Sequence, residues 1–254
     1  MDYQIKVIGK FSYIEEGEGE VLLLLHGLFG ALSNFGGIIE GFKSQYKILV
    51  PVLPIYEAPL REVSVEYLMN YAVDFLQEKA CTTPMHVLGN SLGGHIALFI
   101  ALKRPELLKT LILTGSSGLF ENTMGDNYPK RQNYEYIQRK TEYTFYDPDM
   151  ADKSLVDMLY EIVNNNEKAM RVVAVARSAM RDNVENQLNQ ILVPTLLVWG
   201  KQDKITPPFV GEDFHKGIKN SQLFYINRCG HAPMMERPDE FNRILKQFLN
   251  KHSH

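Results

Sequence analysis

The feature that most restricts the fold of this chain is a series of short, mainly apolar runs separated by longer stretches with helical spacing. The runs are Val21-Leu22-Leu23-Leu24-Leu25, residues 46–53 (YKILVPVL), Met85-His86-Val87-Leu88, Thr110-Leu111-Ile112-Leu113, residues 195–199 (TLLVW) and residues 221–226 (SQLFYI). Continuous rather than alternating apolarity belongs to strands covered on both faces, as in a parallel sheet flanked by helices. Between the runs, residues 65–79 place Leu68, Tyr71, Ala72, Phe75 and Leu76 at helical spacing. Residues 95–103 are apolar and stop before Arg104-Pro105, where proline discourages continuation. Residues 239–249 follow Pro238 and put Phe241, Ile244, Leu245, Phe248 and Leu249 on one face. Strand and helix in alternation predict a doubly wound, mostly parallel α/β sheet flanked by helices.

One region breaks the rhythm. Residues 119–190 contain no convincing buried strand and are rich in Tyr, Met, Asn and charge, with helix-like patches at 155–163 and 169–180. They read as a mostly helical insertion, which leaves residues 1–118 and 191–254 as the α/β core. Segments this long without core strands are usually functional or disordered. A chain of 254 residues holds such a core without disulfide or metal staples.

Composition removes several function classes. A formal charge of −3 and the lack of a Lys/Arg block speak against nucleic acid and against an anionic membrane surface. Cys81 and Cys229 are too few for a disulfide framework, and two reduced thiols are the favoured state. The N-terminal stretch lacks a signal peptide's basic head and long apolar segment, and Val21 to Leu25 is far shorter than the ~20 residues that span a bilayer. A soluble, cytoplasmic protein is the expectation. No H-E-x-x-H or Cys/His cluster points to a metal, and neither metal nor cofactor is expected.

The chemistry centres on Gly89-Asn90-Ser91-Leu92-Gly93, a G-x-S-x-G nucleophile elbow. Such a serine must sit on a sharp strand-to-helix turn with small residues two positions either side, because neighbouring backbone passes close by. An apolar strand precedes this pentapeptide and an apolar helix follows it, which is the context the motif requires. The turn places the Leu92 N–H at a helix N-terminus, where unpaired donors and the helix dipole favour negative charge. A second oxyanion donor is expected from His26-Gly27-Leu28-Phe29-Gly30, the loop after an earlier strand. Leu28 is the chosen amide, with Phe29 as the alternative.

A serine hydroxyl needs a base, and the base needs an acceptor to hold its tautomer. In this topology the chain order is Ser, acid, His. Asp203 follows the 195–199 run and His231 follows the 221–226 run, so both leave the edge of the sheet where ligands bind. Other groups receive plainer roles. His26 stabilises its own loop; His86 and His95 pack; His215, His252 and His254 face solvent. Asp213, Glu236 and Asp239 are rival acids near the site; Asp239 is read as a helix cap and Glu236 as a brace for the histidine loop. Cys229 is a small packing residue.

HGLFG, GNSLGG, WGKQD and GHAPMMERPDEFN, in this order, resemble the α/β-hydrolase fold superfamily across nearly the whole chain. In detail they resemble its small branch of esterases, C–C bond hydrolases of ring-cleavage products, epoxide hydrolases and haloalkane dehalogenases. The resemblance gives Ser91, Asp203 and His231 the triad positions, Leu28 and Leu92 the oxyanion positions, and residues 119–190 the part of a cap that shapes substrate choice. A serine at the elbow argues against the epoxide and dehalogenase branches, which use aspartate there. Asn90 before Ser91 resembles C–C hydrolases and some esterases. One departure stands out: the glycine-rich stretch usual after the third strand reads here Leu53-Pro54-Ile55-Tyr56-Glu57-Ala58-Pro59.

The expected function is a serine hydrolase that cleaves a small, mainly apolar carboxylic ester, or a related acyl substrate, through an acyl-enzyme on Ser91. The rivals are a C–C bond hydrolase of ring-cleavage diketones and a ligand-sensing protein with little turnover. Tyr128, Tyr134, Tyr136, Tyr143, Tyr146 and Tyr160, with Met150, Met158, Met170 and Met180, either line an apolar pocket or simply pack.

Overall fold

The structure is a computed structural model that describes residues 3–30, 35–122 and 130–252. The apolar runs form six consecutive strands of one eight-stranded sheet, the last of them at its edge. Its strands are β1 (Lys6–Ile8), β2 (Phe11–Glu16), β3 (Glu20–Leu25), β4 (Tyr46–Pro51), β5 (Met85–Asn90), β6 (Leu108–Thr114), β7 (Thr195–Gly200) and β8 (Ser221–Ile226). The order across the sheet is β1-β2-β4-β3-β5-β6-β7-β8. All pairs from β4 to β8 are parallel, and β2 meets both β1 and β4 antiparallel. β1 and β2 lie outside the apolar series: β1 is half-exposed or exposed throughout, and β2 ends in Glu15-Glu16.

Helices cover both faces. They are α1 (Gly36–Phe42), α2 (Val65–Glu78), α3 (Leu92–Lys103), α4 (Tyr134–Thr144), α5 (Lys153–Asn164), α6 (Asn166–Arg181), α7 (Pro208–Gly217), α8 (Pro233–Glu236) and α9 (Pro238–Asn250). Because strand side chains alternate between faces, each strand feeds two cores. Leu23, Leu25, Val87, Leu111 and Leu113 pack with α2, α3 and α7, while Leu22, Leu24, Leu88, Ile112 and Val198 pack with α1 and α9. α3 is buried along its length from Leu92 to Ala101, which explains why it has no polar face.

Between β6 and β7 the described residues hold α4, α5 and α6 and no strand. Side-chain caps start each of these helices: Asn133 accepts from the Tyr136 N–H, Asp152 from Leu155 and Asn165 from Lys168. The insertion's aromatic and sulfur side chains do not form one lining. Tyr143, Tyr146, Met170 and Met180 are exposed, Tyr134 packs at a tilt against Tyr160, and Tyr128 lies outside the described residues.

Two smaller expectations are corrected. Asp239 is not a cap: Arg237 occupies that position at α9 without a side-chain cap bond, and Asp239 sits in the first turn, where its charge suits the helix dipole. His252 does not face solvent freely, because it is half-buried against the Phe248 ring at 4.7 Å. His254 lies outside the described residues.

Candidate active site

Parallel strands end at a common edge, so the loops after β3, β5, β7 and β8 emerge together. Ser91 follows β5 directly and has φ 54° and ψ −121°, a left-handed conformation that a serine adopts only under compulsion. The compulsion is visible. The Ser91 carbonyl accepts from the amides of Gly94, His95 and Ser117 at 2.9, 3.2 and 3.1 Å, and the Ser91 N–H donates to Thr114 at 3.2 Å. Gly93 completes the turn, since a Cβ there would lie 1.9 Å from the Leu25 carbonyl oxygen. Ser91 itself remains half-exposed among buried neighbours.

Asp203 and His231 are buried, at 3% and 7% exposure, and His231 Nδ1 lies 2.9 Å from Asp203 Oδ2. The rest of the carboxylate is occupied: the Ile205 and Thr206 amides donate to Oδ1 at 2.8 and 3.0 Å, and the Thr206 hydroxyl donates to Oδ2 at 2.9 Å. Thr206 is in turn fixed by its carbonyl, which accepts from the Trp199 indole at 2.9 Å. Burial disfavours the charged imidazole, but the charge and hydrogen bond of Asp203, helped by Glu121 and Glu236, outweigh it and raise the His231 pKa.

The loops are laced to one another. Gln202 N–H donates to the Cys229 carbonyl at 2.9 Å and the Cys229 N–H to the Gln202 side chain at 3.1 Å, joining the acid and histidine loops. Asn90 is buried, and its amide donates to the Thr114 and His231 carbonyls at 2.9 and 3.2 Å. The residue beside Ser91 therefore holds the backbone of His231. Glu236 accepts from the Gly230 N–H and the Tyr146 N–H, each at 2.8 Å, and the His231 N–H donates to the Thr144 carbonyl at 2.9 Å. The histidine loop is thus fastened to the end of α4. Burial raises the Glu236 pKa although several backbone donors oppose it.

The loop after β3 reaches the elbow: a Cβ on Gly27 would lie 3.2 Å from the Ser91 Cβ. Its Gly27 carbonyl accepts from the Gly30 N–H at 3.0 Å and lies 2.9 Å from His26 Nδ1, while His26 Nε2 accepts from the Leu53 N–H at 3.1 Å. An Nε2 that accepts leaves the proton on Nδ1, so His26 clips its own loop to the loop after β4, as its sequence position suggested. Leu92 opens α3, so its N–H has no partner in the helix ladder.

Other sequence candidates stand elsewhere. His86 is buried between Thr110 and Glu20, and His95 lies 2.9 Å from the Asp182 carbonyl, its pKa pressed down to about 4 by burial. His215 is exposed beside Ser221, and Asp213 pairs with Lys216 on the surface. Cys229 is buried, and burial pushes its thiol pKa far up, so it stays protonated and inert. Thr206 and Tyr56 were not singled out by sequence. For Thr206 a signal existed: a threonine three residues after an acid at a strand end is positioned to close a local turn. Among the described residues no group of three or more His, Cys, Asp or Glu is arranged to hold a metal ion, and no helix is long and apolar enough to cross a membrane.

Known proteins share this architecture. A crystal structure of an α/β hydrolase enzyme from the metagenome of sediments of the Mar Chica lagoon, Morocco, is 38% identical, with a TM-score of 0.82, covering 99% of this chain and 100% of that one. Lipase 1 of Psychrobacter immobilis is 29% identical over 258 residues, which are 94% of this chain and 80% of that protein. The 2-hydroxy-6-oxo-6-phenylhexa-2,4-dienoate hydrolase of Comamonas testosteroni is 28% identical over 259 residues, which are 94% of this chain and 91% of that protein. The family model for the alpha/beta hydrolase fold matches residues 20–238, a span that includes the loops of Ser91, Asp203 and His231. The chain belongs to the α/β-hydrolase fold family and is a hydrolase.

Proposed function

We propose that the chain is a serine hydrolase that cleaves a small, mainly apolar carboxylic ester, or a related acyl compound, through an acyl-enzyme on Ser91. The observation that carries this reading is the 2.9 Å contact between His231 Nδ1 and Asp203 Oδ2. An ionised carboxylate can only accept, so it holds the proton on Nδ1 and leaves Nε2 as the base. In the proposed cycle Nε2 takes the Ser91 proton as Oγ attacks the substrate carbonyl. The Leu28 and Leu92 amides, with Phe29 as the alternative to Leu28, hold the oxyanion, each worth about 2.7–4 kcal/mol in the transition state. His231 then protonates the leaving group, and water repeats the sequence on the acyl-enzyme. Residues 119–190 act as a cap, a role supported by the bonds from Thr144 and Tyr146 to the histidine loop.

The Comamonas relative supports a second reading, cleavage of a C–C bond in a diketone. Asn90, which suggested that reading, spends its amide on two backbone carbonyls, so bracing accounts for it. The test is a panel of short p-nitrophenyl esters, thioesters and vinylogous diketones with wild type and Ser91→Ala. Ester turnover lost in the variant is expected. Wild-type-like turnover there overturns the nucleophile, faster diketone cleavage moves the function to C–C bonds, and a single slow turnover with tight retention indicates a sensor.

A further inference from the structure

Residues 53–59, which replace the family's usual glycine-rich stretch, form a braced loop. Leu53, Ile55 and Ala58 are buried, the Ala58 N–H donates to the Pro54 carbonyl at 2.9 Å, and Arg171 of α6 donates through Nε to the Ala58 carbonyl at 2.7 Å. From this base the Tyr56 hydroxyl donates to the Leu28 carbonyl at 2.7 Å.

The geometry points to Tyr56 as a positioning residue for the oxyanion loop: its hydroxyl holds the Leu28–Phe29 peptide, and with it the Phe29 N–H, so that the loop keeps one shape beside Ser91. This role rests on the acyl-enzyme reading above. In a trans peptide the C=O and N–H point in opposite directions. Capture of the Gly27 carbonyl by Gly30 and His26 therefore turns the Leu28 N–H to the far side. Capture of the Leu28 carbonyl by Tyr56 likewise turns the Phe29 N–H away from Tyr56. With both peptides around the Leu28 Cα held, neither donor swings without breaking a hydrogen bond. Glycines at 27 and 30 give the loop little stiffness of its own, so side-chain contacts supply it. Burial pushes the Tyr56 phenol pKa far up, which keeps it a donor throughout the working pH range.

Tyr56→Phe removes one oxygen and keeps the ring. Losing an oxyanion donor outright lowers kcat by about 10²–10³, so a misdirected one is expected to lower kcat by about 10- to 100-fold. KM for a short ester should stay within about threefold, because the hole binds the transition state more than the ground state. A boronic acid that forms a tetrahedral adduct on Ser91 should lose affinity by a factor similar to that in kcat. Should the phenylalanine variant fold poorly, an isosteric fluorinated tyrosine at position 56 gives the same test. Its more acidic phenol loses the donor as pH rises, and kcat should fall with that ionisation only in the substituted protein.

Unchanged kcat and boronate affinity in Tyr56→Phe overturn the role, as does a kcat that stays flat across the pH range in which ultraviolet absorbance shows the fluorinated phenol to ionise. Fluorophosphonate labelling of wild type separates the two claims. Absent labelling at Ser91 removes the acyl-enzyme reading and this role with it. Normal labelling with unchanged Tyr56→Phe kinetics removes the Tyr56 role alone.

Discussion

At the scale of single residues, His231 answers to two opposite demands. Asp203 and its neighbours raise the His231 pKa above the ordinary histidine value of about 6.5. Only the neutral imidazole serves as a base, so the acid limb of kcat/KM is predicted to fall above that value. For folding the sign reverses. A pKa raised in the folded state gives a stabilising contribution that is full below the unfolded pKa and is lost as pH rises through the folded one. Acidification through this window thus strengthens His231's contribution to stability while it switches off the base. Asp203→Asn is predicted to move the acid limb down and to cost about 10³- to 10⁴-fold in kcat, read from pH–rate profiles of both proteins. The proposed triad of Ser91, Asp203 and His231 can be read in the sequence because the chemistry fixes the types, order and strand-end settings that such residues need. Asn90 and Tyr56 reach the His231 and Leu28 carbonyls across the fold, and no spacing along the chain announces such partners, whereas Thr206 lies only three residues from Asp203.

Elements show a similar division. The six apolar runs became β3 to β8; β3 to β7 are covered on both faces, which leaves continuous apolarity as their signature, whereas β8 is the edge strand and alternates half-buried and exposed residues up to Ile226. β1 and β2 escaped it because they sit at one end of the sheet, antiparallel and partly wet. α4 and α7 carry mixed polar sequences, so apart from the Asn133 cap of α4 and Pro208 at the start of α7 little local signal marks them. The end of α2 offers a test of the local physics. Ala80 adopts φ 51° while its N–H and that of Cys81 close the helix on the Gln77 and Leu76 carbonyls. A left-handed terminator of this kind suits glycine. Ala80→Gly is predicted to stabilise the fold by about 0.5–1 kcal/mol, measured as a rise in the urea midpoint with unchanged activity.

For the molecule as a whole, the sheet edge gathers the loops of Ser91, Asp203 and His231, and the helices between β6 and β7 are tied to the surrounding loops from two sides. Arg171 of α6 grips the loop that carries Tyr56, and Tyr146 after α4 shares Glu236 with Gly230. The break in strand rhythm is visible in the sequence; the attachments are not, because they join residues 90 and 113 positions apart. Glu236→Ala strips the acceptor from two backbone donors around a buried site. The predicted loss is about 2–4 kcal/mol in urea unfolding, with a lower kcat as the histidine loop loosens, and Glu236→Gln, which keeps one acceptor, should fall between. The central claim is that the elbow serine is activated by the buried Asp203–His231 pair. Fluorophosphonate labelling followed by intact mass and peptide mapping tests it directly. The prediction is a single adduct on Ser91 that is absent in Ser91→Ala and slowed by orders of magnitude in His231→Ala. An adduct elsewhere, or equal labelling without His231, would contradict the account.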